Sequence, residues 1–382
     1  MLNFNEKIIF KKFLIDNTYF FLFVSLSLTL IVWVIQAVNF LDFVSEDGHS
    51  FKIYFYYTLL NLPKIFSRIM PIVFFTSLFY TLIKYEENNE LKIFWINGIN
   101  KVKFINVLVK YTVLFFIIQI ILNSFLAPHA QNKARSFIKN SNLDFFPSLI
   151  QEKKFIDTVE NLTIFIDKKN ITSNEFENIF LKDEISGEQS QIIYAKKGKL
   201  IDYGNSRSLK LFDGKFININ NKKTTIFNFD QTDFDLSKFG TKSITHRKIQ
   251  ELESSTLLNC INNYYFKSDN SSIIYDPNCN IEFISEVKQE VFKRFFKPLY
   301  LFLVVSIVCF LLLSFKESYI YKSTRTFVFF ASIIVLVISE ISVNYSGKSD
   351  TNSLLAAFAP FALSLIFYLI LINRLTFAEE KN

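Results

Sequence analysis

The stretch NTYFFLFVSLSLTLIVWVIQAVNFL, residues 17–41, carries no charged side chain. A hydrocarbon core of about 30 Å takes about 20 apolar residues in a helix, and without water the backbone must satisfy its own hydrogen bonds. The stretch is long enough, so the chain opens with a membrane span. It is too long for a signal peptide, and no small-residue cleavage site follows Phe40, which predicts that it is retained. Outward from it, residues 111–132 are also uncharged, with the apolar part ending near Ala127. Residues 53–83 are apolar but hold Pro63, Lys64, Arg68 and Pro71, and read as one long, kinked or tilted span. Three more follow much later, at residues 298–315, 326–345 with Glu340 near its end, and 351–373.

The composition agrees. Half of the 382 residues are apolar, 47 are Phe, and mean hydropathy is +0.25, which excludes a disordered chain and a disulfide-stapled miniprotein. The net charge of +7 is unevenly placed: residues 127–292 hold 22 basic and 22 acidic side chains, so the excess sits in the two apolar ends. A basic nucleic-acid-binding domain is not built that way. With the N-terminus in the cytoplasm, Lys7, Lys11, Lys12, Lys84, Lys92, Lys101, Lys103, Lys316, Lys322, Arg325, Arg374 and Lys381 lie inside. The short outer loops then hold Asp42, Glu46 and Asp47, with Lys52 and Lys348 as their bases. This is the positive-inside asymmetry, and it predicts cytoplasmic termini with the neutral middle outside.

Between the third and fourth spans, from about Lys154 to Asp235, apolar and polar residues alternate in short runs. Leu162, Ile164 and Ile166 form one; Leu209 and Leu211, Phe216 to Ile219, and Ile226 to Phe229 form others. Asp213-Gly214 reads as a hairpin signal, and the punctuation predicts an antiparallel sheet folded as a sandwich or roll. Residues 246–263 and 282–297 read as helical, the latter an amphipathic lead into the fourth span. The expected architecture is an α-helical membrane protein of six transmembrane helices, three plus three. Its parts are residues 1–126, an inserted all-β domain with helical connections at 127–292, and residues 293–382.

Chemistry-bearing residues are few. His49, His129 and His246 lack metal-ligand spacing, so neither a metal site nor a catalytic group is expected. Cys260 and Cys279 lie outside the spans and are able to pair, but so Cys-poor a chain favours two free thiols. Gly347-Lys348-Ser349 has the ending of a phosphate-binding loop, yet Ser342 stands where the first Gly is required. No cofactor is therefore expected on this chain, and any ATP and Mg are used by a separate ATPase. The inner loop from Lys84 to Lys103 accommodates a short helix ending at Gly98, with Glu86, Glu87 and Glu90 towards its start and an apolar face of Leu91, Phe94 and Trp95. Either it lies in the membrane interface or it docks into a cytoplasmic partner. Lys64 and Arg68, four apart, share one helix face inside a span. Intramembrane charges face a bundle interior, a cavity or a partner. One reading pairs one of them with Glu340; the other makes them contacts for an anionic lipid headgroup, extended outside by Lys133 and Arg135.

The chain resembles the lipopolysaccharide export permeases of the LptF/LptG (YjgP/YjgQ) family over nearly its full length. The matching features are Leu62-Pro63-Lys64 followed by Pro71, the loop from Glu90-Leu91 to Gly98, Tyr194-Ala195 to Gly198, Leu209-x-Leu211-x-Asp213-Gly214, and Arg294 to Pro298. Thr232-Asp233-Phe234 and Gly347-Lys348 lean towards LptF. The resemblance implies an inner-membrane subunit whose periplasmic insert is β-jellyroll-like. It implies an LptF–LptG heterodimer on two copies of the ATPase LptB, with the helix of about residues 86–98 as the coupling helix and Glu90 at its centre. Lipopolysaccharide would enter from the outer leaflet and pass through the β domains towards LptC and LptA. Gln36 to Phe40 stand where family members often carry basic residues late in the first span. Two other classes compete: a mechanotransmitting ABC membrane subunit, and an envelope assembly or sensor protein without an ATPase.

Overall fold

The computed structural model describes residues 4–41, 51–149, 152–159, 162–170, 175–186, 189–202, 207–220, 223–236, 248–266 and 283–380. Among them, six helical segments are long and apolar enough to cross a membrane: Ile8–Asn39, Phe51–Glu87, Lys101–Ile138, Ile284–Leu313, Tyr319–Ser346 and Asp350–Thr376. In chain order the helices are α1 (Phe4–Asn39), α2 (Phe51–Leu60), α3 (Leu62–Glu87), α4 (Glu90–Ile96), α5 (Lys101–Ile121), α6 (Ala127–Leu149), α7 (Ser254–Phe266), α8 (Ile284–Phe295), α9 (Tyr300–Val308), α10 (Tyr319–Ser346) and α11 (Asp350–Glu380). The second span is interrupted at Asn61, just before Leu62-Pro63, because proline starts a helix more readily than it continues one; Pro71 lies within α3.

The chain divides into two compact units, residues 1–34, 61–132 and 248–382 in one, 35–60 and 133–247 in the other. The return segment from residue 248 groups with the spans rather than with the β domain.

In the first unit the spans are unequally buried. The fourth buries 67% of its apolar window and the second 56%, against 17% for the first and fifth, so the second and fourth form the centre and the others the flanks. The centre packs Val73, Phe74, Leu78, Val304, Val308 and Cys309, all at most 1% exposed. The polar start of the first span is absorbed by neighbouring helices: Asn17 donates to the Tyr111 hydroxyl at 3.1 Å and accepts from Thr81 at 3.1 Å, and the Tyr85 hydroxyl donates to Asp16 at 2.6 Å. Asn17 is fully buried and fully used, the condition for a polar side chain inside a membrane bundle.

In the second unit six antiparallel strands form one sheet in the order β1 to β6: Phe155–Val159, Leu162–Asn170, Glu175–Ser186, Gln189–Asp202, Arg207–Asn220 and Lys223–Asp235. Each strand pairs with its sequence neighbour, a plain meander. No helix packs broadly on the sheet among the described residues, yet Leu181, Leu209 and Leu211 are fully buried. A lone sheet can bury a face only by closing over itself.

The means is a crease. Strand pairing lapses at one aligned position on each of five strands, Asp167, Asn178, Lys196, Asp213 and Asp230, while the pairing on both sides keeps its register. Asn178 and Asp213 hold φ of 53° and 51°, which Asn and Asp tolerate better than other side chains. The inward alternation steps by three there instead of two: Phe176 to Ile179 on β3, Ala195 to Gly198 on β4, Leu211 to Gly214 on β5. The Asp213-Gly214 pair is therefore no hairpin turn but the bend in the middle of β5, a correction to the sequence expectation. At the bend neighbouring strands crowd closely. A Cβ on Gly198 would lie 2.3 Å from Ile179 Cδ1, and one on Gly214 would lie 2.2 Å from Phe229 Cζ and 2.4 Å from the Tyr194 carbonyl oxygen.

Gly214→Val places new atoms against backbone that cannot yield, and overpacking of this kind costs about 1–3 kcal/mol. The expected result is faster proteolysis of residues 155–235 with the helical spans still protected, measured by limited digestion of the purified protein.

Candidate functional site

Lys64 and Arg68 project from the first turns of α3 into a polar cleft at the end of the bundle where the chain departs after Gln131 and returns at Gln250. A π-helical turn, Leu122–Leu126, interrupts the third span beside it. Such a turn leaves a carbonyl without its usual helical partner, and the Ser124 carbonyl accepts from the Ser254 hydroxyl at 2.6 Å. Gln119, 3% exposed, donates to the Ser67 carbonyl at 2.7 Å, while its own side-chain oxygen has no hydrogen-bond partner.

The opposite wall is α8 and the turn after it, carrying Glu290, Lys293, Arg294 and Lys297. Arg294 is fully buried. Its Nε donates to Glu290 at 3.1 Å, Nη1 to the Leu252 carbonyl and the Ser254 hydroxyl at 2.9 Å each, and Nη2 to the Gln250 carbonyl at 3.0 Å. This planar fork ties the returning chain to α8. Lys293 also donates to Glu290, at 2.9 Å.

Lys297 forms an ion pair with Glu340 on α10. The reading that pairs Glu340 with Lys64 or Arg68 is thus corrected: Glu340 serves the cation that precedes the fourth span. Among the described residues the Lys64 and Arg68 side chains make no hydrogen bond or ion pair, and the cleft stays cationic. Lys293 and Lys297 were missed as site residues in the sequence. Their i, i+4 spacing is visible in the sequence, where it marks only the entry to a span. Lys133 and Arg135 lie on α6 in the other compact unit and are not in the cleft lining.

The expected coupling helix is α4, and it begins at Glu90, later than the sequence suggested. Asn89, at φ 62°, breaks the helix before it; Gly98, at φ +77°, ends it, with the Ile99 amide donating back to the Phe94 carbonyl at 3.1 Å. Glu86 and Glu87 belong to the end of α3 and hold the chain's second half. Buried Glu86 accepts the Lys316 amide at 2.9 Å, the Glu87 carbonyl accepts the Lys316 ammonium at 3.1 Å, and the Glu87 carboxylate pairs with Arg325 at 2.8 Å. Lys92 pairs with Glu317 and holds that carboxyl below its ordinary range.

The expected apolar face, Leu91 and Phe94 with part of Trp95, is packed into the bundle's own core against Tyr85 and Phe104. What α4 presents outward is Ile93, 53% exposed, Ile96, 83% exposed, and Glu90 within 3.5 Å of Lys12. The Gly347 to Ser349 segment caps α10 and leads into α11, and Gly347 allows the close approach of the Ser285 carbonyl. Cys309 is free and buried, but Cys260 is disulfide-bonded, against the expectation of free thiols. His49, His246 and Cys279 lie outside the described residues.

The chain matches the family described as lipopolysaccharide export system permease LptF/LptG over residues 9–374. A protein of Rickettsia prowazekii (strain Madrid E), described as uncharacterized protein RP871, is 25% identical over 352 residues, 90% of this chain and 92% of that one.

Replacing Arg294 by Leu strands Glu290 in the bundle without its buried partner, a change that costs about 3–5 kcal/mol. Arg294→Lys has one point charge for a four-bond fork and is expected to recover little. Thermal unfolding of the detergent-purified chain checks both.

Proposed function

The chain belongs to the lipopolysaccharide export permease LptF/LptG family, and from that premise we propose that it is the permease subunit of an ABC transporter. In this reading it draws lipopolysaccharide from the outer leaflet of the inner membrane and hands it to a periplasmic bridge. Its termini are cytoplasmic and its β domain periplasmic, as the distribution of Lys and Arg supports. It pairs with the paralogous LptF or LptG subunit on two copies of LptB, which hydrolyse ATP; LptC and LptA receive the lipid.

The observation that carries the lipid reading is the pair Lys64 and Arg68. Two cations without ionic partners within a membrane span are costly to keep, and they face a cleft already rich in donors. A phosphorylated headgroup answers that arrangement, with its alkyl chains on the apolar flanks of the first and fifth spans. Lys133 and Arg135 on α6 are two further cations proposed for headgroup contact on chemistry alone. The coupling reading rests on α4, where Glu90, Ile93 and Ile96 form the surface offered to LptB. Movement there reaches α10 through the Glu86, Glu87 and Lys92 contacts with residues 316–325. The chain itself performs no covalent chemistry. For the bridge, β6 offers an edge of thirteen residues on which another strand adds by backbone hydrogen bonds.

Hydrogen bonds to charged groups are each worth about 1.5–3 kcal/mol, so Lys64→Glu with Arg68→Glu should lower crosslinking to lipopolysaccharide about tenfold or more; undiminished crosslinking removes the headgroup role. Glu90→Lys should reduce the copurifying ATPase to background, with Glu90→Gln intermediate, measured by nucleotide hydrolysis in the purified complex. Full recovery of the ATPase with Glu90→Lys would sink the docking role.

A further inference from the structure

The first helix contributes to both compact units: residues up to 34 group with the bundle and residues 35–60 with the β domain, while α1 runs unbroken from Phe4 to Asn39. The chain crosses the same division again at 60/61 and at 132/133. There the second span is interrupted at Asn61, and the π turn Leu122–Leu126 interrupts the third shortly before its crossing. Residues 4–39 hold no Gly, no Pro and no turn of another helix type, so α1 lacks the chief causes of a sharp kink. Its near end is gripped around α4. Phe13, 1% exposed, meets Tyr85 and Phe104 edge-on with ring centroids 5.0 and 5.1 Å away, and the same two rings receive Phe94 of α4. Beside them Lys12 pairs with Glu90 at 3.5 Å, and the Tyr85 hydroxyl donates to Asp16. The far end is gripped by α2. In the last turn of α1 the Ala37 carbonyl accepts from the Tyr54 hydroxyl at 2.7 Å, and just beyond it Phe40 meets Tyr57 edge-on at 5.1 Å. Tyr56 of α2 in turn stacks on Phe137 of α6, the helix that leads towards β1. Between the two grips little holds the helix, since only 17% of its apolar window is buried.

We infer that α1 is a rod that carries displacement of α4 to α2 and α6, with Lys12, Asp16 and Tyr85 positioning its near end and Tyr54 its far end. From Lys12 to Ala37 it is about 38 Å long at 1.5 Å per residue, more than the hydrocarbon core of about 30 Å. Movement taken up at one face of the membrane is thus delivered at the other without passing through the joints of the second and third spans, the way rigid elements carry coupling between distant sites. The inference rests on the docking of an ATPase at α4 for the source of the movement; the rod itself rests on the unbroken helix and its two grips.

The test puts a joint into the rod. Leu30 and Ile31 lie between the grips and are 54% and 55% exposed. Leu30→Gly with Ile31→Gly loosens the helix there, whereas Leu30→Ala with Ile31→Ala removes similar bulk and keeps it stiff. Spin labels at Lys52→Cys on α2 and Lys348→Cys after α10, both exposed, report movement in the full-length chain purified with its ATPase, with and without a non-hydrolysable ATP analogue. Cys309 is buried and Cys260 is disulfide-bonded, so labelling is confined to the new thiols among the described cysteines. The analogue is expected to shift this distance in the parent and in the Ala pair, and the shift is expected to be lost in the Gly pair with the ATPase still bound. A shift that survives the Gly pair, a shift lost equally in the Ala pair, or no shift in the parent with its ATPase bound overturns the rod. Stiffness is read separately from labels at Lys11→Cys and Val38→Cys, both exposed on α1, which should give one narrow distance of about 40 Å at 1.5 Å per residue; a broad distribution in the parent overturns the rod whether or not an ATPase binds. An ATPase that fails to copurify with the parent sinks the docking reading and leaves the rod to be judged on that second distance.

Discussion

A polar group inside a hydrocarbon layer has to find its partner within the protein, and the helical unit is organised around that constraint. Asn17 heads the uncharged stretch of the first helix and is held by Thr81 and Tyr111. The π turn of the third span releases a carbonyl and Ser254 takes it up. Arg294, the largest fully buried side chain among the described residues, is surrounded by a carboxylate, a hydroxyl and two carbonyls. Against this rule Lys64, Arg68 and the unmatched oxygen of Gln119 are conspicuous. They mark the place where the described part of the bundle leaves charged donors without an ionic partner beside an unmatched acceptor.

The β domain meets a different constraint. Among the described residues it has one sheet, no second layer and a set of inward Leu, Ile and Phe side chains that water would penalise. A uniformly twisted meander would leave that face open. The three-residue step at the crease turns the single sheet into two facing leaves, and the motif residues Ala195, Gly198, Leu211, Asp213 and Gly214 are those on which the bend depends.

Length and charge made the spans legible from sequence, because the thickness of a membrane is a fixed ruler. The shared face of Lys64 and Arg68 was legible as well, since helical spacing is local. What escaped depends on contacts between segments distant in sequence. The partner of Glu340 is Lys297 on another helix, and nothing in either local sequence selects it over Lys64. Glu86 and Glu87 looked like the start of a short helix, but Asn89 in a left-handed conformation places them on the preceding one. Leu91 and Phe94 formed an apolar face that a partner or the chain's own core would accept equally well; Phe104 and Tyr85 took it. Asp213-Gly214 misled because the residues that close a hairpin also relieve a bend within a strand.

The Arg294 fork has a consequence for how the chain is made. Its acceptors at Gln250, Leu252 and Ser254 come from the segment that leaves the β domain, and the guanidinium comes from the helix entering the fourth span. They meet only when the segment that leaves the β domain and the helix that enters the fourth span lie side by side, so residues 250 to 254 and residue 294 must end on one face of the bundle. A fourth span threaded in the opposite direction would carry Arg294 away from those acceptors and leave a buried charge unpaired. The latch therefore ties the direction of the fourth span to the place where the chain returns.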